Sequence, residues 1–355
     1  MAVFFLMIVG LGLLVLGADL LVRGSSRLAL ALGMSPLLIG LTLVSFGTSS
    51  PEFAITIFSA YKGQTDLAFG NVVGSNIFNI LFILGAAALI YPLRVAAQLV
   101  RIDVPIMIGV SILLVVFAAD GHLSLLDTTI FLVLMVAYLY LSIRIAEKTN
   151  HLETHKHQTG SSKFKLYLQN IGIIVIGLVL LVLGSRYLVD SAIELARRFA
   201  VSEMIIGLTI VAAGTSIPEV ATSLLASIRK EADIAVGNVV GSCIFNVLAV
   251  LGLAGLLSGE GIPVESPSLL LNLTFLIASA LVCLPIFFTG FRVSRSEGLL
   301  FLIYYGMYLT ILIQQALQPE AVMPFAPMLL LLILPFAGLI FINYIRDYFR
   351  KKNAP

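Results

Sequence analysis

Long apolar runs separated by short polar segments dominate the chain. Most runs are close to twenty residues long, which is the length that an α-helix needs to cross the hydrocarbon core of a bilayer. The first run has no basic segment before it and is longer than the apolar part of a signal peptide, so we expect it to be retained as the first helix. The pattern predicts eleven transmembrane helices, near residues 2–22, 36–60, 67–91, 102–119, 124–144, 168–190, 203–228, 234–258, 268–290, 296–316 and 323–345.

The chain contains one stretch twice. Residues 47–85 and 214–252 align without a gap at an offset of 167, and 20 of the 39 aligned positions are identical. The first five apolar runs match the next five, and the eleventh has no counterpart. Because five is an odd number, the two copies must enter the membrane from opposite sides. The predicted fold is therefore an all-α polytopic membrane protein, an inverted repeat of two five-helix halves (a ten-helix core) plus an eleventh C-terminal helix.

The basic residues predict the orientation of the chain. If the N-terminus lies outside, the segments on the cytoplasmic side hold 17 of the 21 lysines and arginines. Such an excess is typical of cytoplasmic segments, so we predict an outside N-terminus and a cytoplasmic C-terminus. The predicted division is a first repeat over 1–145, a cytoplasmic linker over 146–167, a second repeat over 168–317, and an extra helix with a basic tail over 318–355.

Composition supports a membrane location. The chain is 59% hydrophobic and 11% charged, whereas soluble domains carry about 25% charged residues. We expect a multi-pass protein of the cell (inner) membrane with the lipid bilayer as its solvent. A net charge of +2 gives no reason to expect a nucleic-acid partner, and two cysteines in apolar segments do not indicate a disulfide framework.

Each copy of the repeat carries one carboxylate inside an apolar segment, Glu52 or Glu219, directly after helix breakers. A charged side chain at the centre of a bilayer costs roughly 2.5–3.5 kcal/mol even on lenient scales. Two carboxylates become tolerable if they face each other across a cation, and Ca²⁺ prefers six to eight hard oxygen ligands. The repeat supplies further oxygens near the two acids, from Thr48, Ser49, Ser75, Asn79, Thr215, Ser216, Ser242 and Asn246.

Pro51 and Pro218 remove a backbone donor, so each is expected to free a carbonyl about four residues earlier, near Gly47 and Gly214. Such carbonyls are tolerated at membrane depth where they are buried in protein, face water or hold an ion. The breaker and the charge therefore fit together in one site.

Other polar features have plainer explanations. The Gly-Asn-Val-Val-Gly pattern at 70–74 and 237–241 is typical of close helix packing, and we expect it to serve both packing and the site. Asp66 and Asp233 are interpreted as helix N-caps rather than ligands. The pairs Asp19/Arg23 and Arg186/Asp190 are interpreted as local i,i+4 ion pairs. The linker histidines, His151, His155 and His157, are interpreted as part of a solvated loop rather than a metal site.

The doubled motif, Gly-Thr-Ser-x-Pro-Glu followed by Gly-Asn-x-x-Gly-Ser-x-Ile-Phe-Asn, resembles the alpha repeats of the calcium:cation antiporter superfamily. The most similar branch is the bacterial and archaeal sodium/calcium exchangers. The resemblance covers the first ten runs. It implies a core of broken second and seventh helices packed beside the third and eighth, with long first and sixth helices that slide across that core.

The resemblance also implies roles for individual residues. Glu52 and Glu219 would be the main calcium ligands, joined by the carbonyls of Thr48 and Thr215. Asn79 and Asn246 occupy a further matched position, although some members carry Asp in place of one of these asparagines, most often the second. The sodium sites would be lined by side chains of Ser49, Ser75, Ser216 and Ser242, with the backbone at Ser45 and Ala212.

The predicted function is secondary-active exchange of Ca²⁺ for Na⁺ by alternating access, with K⁺ as a possible further ion and no cofactor. The alternative is an H⁺/Ca²⁺ or other divalent-cation antiporter on the same fold. A membrane-embedded enzyme is disfavoured, because the apolar runs carry no zincin motif and no Ser or Cys placed with a membrane His. An ion channel is disfavoured because paired glutamate ligands that bind tightly would slow conduction. Oligomeric state, stoichiometry and direction stay open.

Overall fold

The computed structural model describes residues 2–32, 34–150, 162–199, 210, 212–264, 269–288 and 290–317. These residues are mainly helical. The helices are α1 (Ala2–Leu32), α2 (Pro36–Thr48), α3 (Ser50–Tyr61), α4 (Thr65–Ile90), α5 (Leu99–Asp120), α6 (Leu125–Asn150), α7 (Ser162–Arg198), α8 (Ile217–Ile228), α9 (Ala232–Leu257), α10 (Leu269–Phe288) and α11 (Arg295–Leu317).

The apolar runs correspond to these helices. In the described part of the chain eight helices are long and apolar enough to cross a membrane, and α2 with α3 form a ninth span if the bent pair is counted as one. The seventh predicted run is represented by a single turn at Ala212–Gly214 and by α8, which is 12 residues long. Much of that run, the eleventh run and the linker histidines lie outside the described residues.

Helices α4 and α9 form the centre of the molecule. Of their most apolar 18-residue windows, 72% and 83% of the residues are buried, against 33% for α1 and 28% for α7. Both central helices contain the Gly-Asn-Val-Val-Gly-Ser motif. Helices α1 and α7 therefore lie at the periphery of the described structure, and the repeated polar motif lies in the interior.

Helices α1 and α7 pack along each other with their backbones in close approach. A Cβ added to Gly17 would lie 2.8 Å from the carbonyl oxygen of Gly177, and one added to Gly184 would lie 2.8 Å from that of Gly10. Glycine is required at these crossings because any side chain would meet the facing backbone. The first and sixth runs thus form one two-helix layer.

Two short antiparallel ladders tie together the loops at the two ends of α5. The strand β1 (Leu93–Arg94), before α5, pairs with β4 (Arg292–Val293), which precedes α11. The strand β2 (His122–Leu123), after α5, pairs with β3 (Ile262–Pro263), which follows α9. The loops that hold β1 and β3 are equivalent in the sequence repeat, yet they lie at opposite ends of α5.

The glycines of the repeated motif behave differently in the two copies. A Cβ on Gly237 would lie 3.1 Å from the carbonyl oxygen of Leu37, and one on Gly241 would meet Ser45 Oγ at 2.7 Å, so α9 approaches α2 closely, as expected. Gly70 and Gly74 face no described atom within 4 Å. The residues equivalent to α2 in the second half are 203–215, of which 203–209 and 211 lie outside the described part of the chain.

Candidate cation-binding site

Two helix breaks deliver the two glutamates to the interior. The chain bends by 49° between α2 and α3, and Ser49 at the break has φ −76° and ψ 8°. Ser216 has nearly the same conformation before α8, with φ −88° and ψ 9°. Each break is followed by proline at the second helical position, where the missing N–H has no helical partner to lose. Glu52 and Glu219 thus occupy the first turns of α3 and α8, where the helix dipole favours negative charge.

Each carboxylate accepts a hydrogen bond from the opposite half. Ser216 Oγ donates to Glu52 Oε1 at 2.6 Å, and Ser49 Oγ donates to Glu219 Oε1 at 3.0 Å. Both glutamates are fully buried. The crossing pattern means that the two breaks face each other, so both acids belong to one interior cluster.

A second pair of serines extends this cluster into the central helices. Ser75 Oγ of α4 lies 3.2 Å from Ser216 Oγ, and Ser242 Oγ of α9 lies 3.1 Å from Ser49 Oγ. All four predicted serines are therefore brought together with the glutamates. The two halves contribute the same set of groups, related by the 167-residue offset.

Several buried polar atoms of the predicted ligands have no hydrogen-bond partner within the described chain. They are Glu52 Oε2, Glu219 Oε2, Asn246 Oδ1, and both Oδ1 and Nδ2 of Asn79. All four residues are fully buried. A buried acceptor without a donor is expensive, and one oxygen of this kind from each of four side chains is a donor set that suits a hard cation.

Asn79 and Asn246 lie at equivalent irregularities of the central helices. Each stands in the first turn of a π-helical stretch, over Phe78–Ile83 in α4 and Asn246–Leu251 in α9. Such stretches interrupt the regular i→i−4 hydrogen bonding and are frequent at functional sites. The sequence motif does not reveal them, because their hydrogen-bond register is set by packing.

The threonines contact Asn71 and Asn238, the asparagines of the Gly-Asn-Val-Val-Gly pattern that was expected to serve both helix packing and the site. Thr48 Oγ1 donates to Asn238 Oδ1 at 3.0 Å, and Thr215 Oγ1 lies 3.5 Å from Asn71 Oδ1. The same amides then donate outward, Asn238 to Ser223 Oγ at 3.0 Å and Asn71 to Thr56 Oγ1 at 2.9 Å. The sequence feature that marks both asparagines is their presence at the same place in the two copies of Gly-Asn-Val-Val-Gly-Ser.

The carbonyls that proline was expected to free are taken by serine hydroxyls. The Gly47 carbonyl accepts from Ser50 Oγ at 2.8 Å, and the Gly214 carbonyl accepts from Ser185 Oγ at 2.9 Å. The proline effect is present, but these two oxygens are satisfied by protein donors rather than left for an ion.

The predicted backbone positions flank the cluster. The Ser45 carbonyl accepts from Ser49 N at 3.0 Å and from Thr48 Oγ1 at 3.4 Å. Ala212 begins the short turn before the second break, and its side chain lies outside what the structure describes. Their role towards an ion remains a prediction.

Acids elsewhere do not join the site. Among the described residues, no group of three or more His, Cys, Asp or Glu side chains could hold a metal ion. The assignment of Asp66 and Asp233 as N-caps was wrong. The cap positions belong to Gln64 and Glu231. The two aspartates lie in the first helical turn, where their negative charge interacts favourably with the helix dipole.

The local ion pairs are present, with one addition. Asp19 contacts Arg23 at 3.0 Å, and Arg186 lies 4.0 Å from Asp190. Asp19 also pairs with Arg229 at the end of α8, so this carboxylate links the two halves of the chain rather than acting only within α1.

A partly open cleft of about 40 Å³ reaches the cluster at Ser49. It lies between the α2–α3 break and α9, and its lining is almost wholly apolar. The residues around it are Phe46, Ser49, Ser50, Phe53, Phe245, Ala249 and Val250.

The family model described as "Sodium/calcium exchanger protein" matches residues 2–144 and 169–314, one match in each half of the chain. The sodium/calcium exchanger MaX1 of Methanosarcina acetivorans is 32% identical over 344 residues, covering 87% of this chain and 98% of that protein. The inner membrane protein YrbG of Escherichia coli is 39% identical over 258 residues, covering 71% and 79%.

Solved structures of the sodium-calcium exchanger NCX_Mj have the same fold. One of them, soaked with 10 mM Na⁺ and zero Ca²⁺, superposes with a TM-score of 0.75 at 28% identity and covers 88% of this chain and 98% of its own. On these grounds the chain belongs to the sodium/calcium exchanger protein family, as a multi-pass membrane protein and a cation antiporter.

Proposed function

We propose that the protein exchanges Ca²⁺ for Na⁺ across the membrane and that Glu52 and Glu219 are the shared ligands of both ions. The observation that carries this proposal is the pair of buried carboxylates, each held by a serine of the other half through one oxygen and left without a donor on the other. Two such charges repel each other and are poorly solvated. A divalent cation between them removes both penalties.

The remaining ligands are neutral oxygens. The amide oxygens of Asn79 and Asn246 complete the donor set of the first coordination shell, together with the carbonyls of Thr48 and Thr215. Ser49, Ser75, Ser216 and Ser242, with the backbone at Ser45 and Ala212, line the flanking sodium sites. Because positions 79 and 246 are both asparagine, Glu52 and Glu219 give the site two formal negative charges, which one Ca²⁺ or two Na⁺ neutralise.

We further propose that the fold is an inverted repeat of five plus five helices, with an outside N-terminus, a cytoplasmic C-terminus and an eleventh helix. The two-stranded ladders support the inversion, since β1 and β3 belong to equivalent loops but lie at opposite ends of α5. The helix contacts agree: α11 packs on the end of α4, and α6 packs on the equivalent end of α9.

Coupling follows from the charge of the site. An occluded site without cations would leave two buried carboxylates unpaired, so moving that state across the membrane is costly. The carrier therefore changes access only when it is loaded, with either calcium or sodium. Competition for the same two glutamates makes the exchange obligatory.

The test is ⁴⁵Ca²⁺ uptake into proteoliposomes under sodium, potassium or pH gradients imposed one at a time. Uptake driven by an outward sodium gradient, abolished in Glu52→Gln and Glu219→Gln, is expected. Glu260→Gln changes an exposed loop glutamate and should leave uptake unchanged. Uptake driven by the pH gradient but not by sodium would instead establish the H⁺/Ca²⁺ alternative.

A further inference from the structure

The two amides of the cluster are not equivalent, although they occupy matching positions. Asn246 Nδ2 donates to Asn76 Oδ1 at 3.0 Å, whereas Asn79 has no comparable hydrogen bond and its side chain lies beside the weakly accepting thiol of Cys243. The difference arises one turn earlier on the central helices. There α4 carries Asn76, and α9 carries Cys243 at the equivalent position.

Asn76 and Cys243 meet where the two central helices cross. Asn76 Nδ2 donates to the Cys243 carbonyl at 3.0 Å, and Cys243 Sγ lies 3.8 Å from the Asn76 carbonyl oxygen. Both side chains are almost completely buried. Each residue therefore contacts the backbone of the other across the repeat, and each stands one turn before the amide of its own helix.

The hydrogen bonds at this crossing determine which atom of the Asn246 amide faces which neighbour. A backbone carbonyl can only accept, so Asn76 must present its NH₂ group to Cys243. Its Oδ1 then faces Asn246 and can only accept, which forces Asn246 to present Nδ2. The remaining atom, Asn246 Oδ1, must point the other way, and it is one of the unpartnered oxygens of the cluster.

No comparable series of hydrogen bonds acts on Asn79. Cys243 occupies the position equivalent to Asn76, so its Sγ is the atom that would accept a hydrogen bond from Asn79 Nδ2. A thiol sulfur is a weak acceptor. The contact of the Asn79 side chain with this thiol therefore holds its amide less firmly than Asn76 holds the amide of Asn246. Only the oxygen can serve a cation.

We propose that Asn76 is a positioning residue for the cation site: it holds the Asn246 amide with its oxygen toward the ion, while the cysteine at the equivalent position holds the Asn79 amide more weakly. This inference rests on the proposed function, because it assumes a cation at the cluster. It also predicts that the two halves contribute unequally to affinity.

The chain itself offers matched variants, because each residue is already accommodated at the equivalent place in the other half. Asn76→Cys weakens the hold on Asn246, Cys243→Asn strengthens the hold on Asn79, and the double variant exchanges the two. Equilibrium ⁴⁵Ca²⁺ binding to the purified full chain in sodium-free detergent solution measures the effect. The melting temperature is recorded beside it, because a purely structural role would move stability and not affinity.

A single lost hydrogen bond corresponds to roughly a two- to ten-fold change in an equilibrium constant. Asn76→Cys is expected to raise the Kd for Ca²⁺ by about that factor, and Cys243→Asn to lower it. The double variant should return close to the wild-type Kd. If Asn76→Cys does not fold, Cys243→Asn alone decides the matter, since an unchanged Kd in that variant overturns the proposal.

Glu52→Gln serves as the reference that separates the two hypotheses. If the wild type binds Ca²⁺, Glu52→Gln does not, and all the Asn76 and Cys243 variants bind with the wild-type Kd, the positioning proposal is wrong and the proposed function stands. If the wild type binds no more Ca²⁺ than Glu52→Gln, the proposed function fails and the positioning proposal fails with it.

Discussion

At the scale of single residues, the cluster is held by hydroxyls that cross between the halves. Ser49 and Ser216 each donate to the carboxylate that belongs to the other break. Hydrogen bonds to a charged group stabilise by roughly 1.5–3 kcal/mol. These two bonds therefore fix where the second oxygen of each glutamate lies, which is the oxygen we assign to the ion.

Removing either hydroxyl should weaken calcium binding. Ser49→Ala and Ser216→Ala are each expected to raise the KM for Ca²⁺ by about ten-fold or more, because each carboxylate loses its holding bond. Initial rates of sodium-driven ⁴⁵Ca²⁺ uptake across a range of Ca²⁺ concentrations give this value.

Ser111→Ala is the matched control. Its hydroxyl is buried as well, but it donates to the Met107 carbonyl within α5. A KM in Ser49→Ala no higher than in Ser111→Ala would contradict the assigned role.

The sequence predicted this cluster in its main members, since the repeat marks the glutamates, serines and asparagines by position. It did not predict the capture of the Gly214 carbonyl by Ser185, because that hydroxyl comes from α7, 29 residues away. The pairing of Thr48 with Asn238 likewise joins residues 190 positions apart. Contacts of this kind depend on how helices cross, which local sequence does not specify.

At the scale of elements, α1 and α7 are joined by backbone contact rather than by interlocking side chains. In a lipid environment the hydrophobic effect contributes little to helix association. Van der Waals packing at small residues, where the backbones approach closely, therefore holds such a pair together. Gly17 lies at one of these crossings, whereas Gly12 of the same helix has no described atom within 4 Å of an added Cβ.

This difference predicts opposite outcomes for two similar substitutions. Gly17→Ala should force the helices apart and destabilise the protein by about 1–3 kcal/mol, the range for overpacking. Gly12→Ala should leave stability unchanged or slightly higher, because alanine is the better helix former. Thermal unfolding in detergent distinguishes them, and equal melting temperatures would mean that the backbones are not in contact.

Helix positions were predictable from apolar length, and helix irregularities were not. The 49° bend at Ser49 was anticipated from Gly47 and Pro51 as a break, but not in its angle. The π-helical stretch that begins at Phe78 contains no glycine or proline that would predict it from the sequence. The misassigned caps at Asp66 and Asp233 have the same cause, since the start of a helix shifts by one or two residues with its packing.

At the scale of the whole molecule, an ion pair joins the two halves near the middle of α1. Asp19 of α1 contacts Arg229 at the end of α8. The equivalent positions in the other copy are Arg186 and Lys62, which carry like charges. The two ends of the molecule are therefore electrostatically different despite the repeat.

Arg229→Gln should lower stability by at most about 1 kcal/mol, because both side chains are partly exposed. The effect should shrink as salt is raised, since screening weakens the pair. Arg186→Gln is the control, because its partner Asp190 is 4.0 Å away and both are largely exposed. Melting temperatures at low and high salt measure this, and a salt-independent loss in Arg229→Gln would point to packing instead of charge.

The proposed inversion makes a direct topological prediction. Arg94 and Glu260 lie in equivalent loops of the repeat and both are exposed. An inverted repeat with an outside N-terminus puts Glu260 outside and Arg94 in the cytoplasm. In intact cells, an impermeant maleimide should label Glu260→Cys and spare Arg94→Cys, with low background from the buried Cys243 and Cys283. Labelling of both positions, or of Arg94→Cys alone, would refute the proposed topology.

The central claim is that Glu52 and Glu219 hold one calcium ion jointly, and the stoichiometry of ⁴⁵Ca²⁺ binding tests it most directly. Purified wild-type protein in sodium-free buffer should bind one Ca²⁺ per chain, and Glu52→Gln and Glu219→Gln should each lose that binding entirely. Two ions per wild-type chain, with one retained in each single variant, would show that the glutamates serve separate sites and would contradict the account.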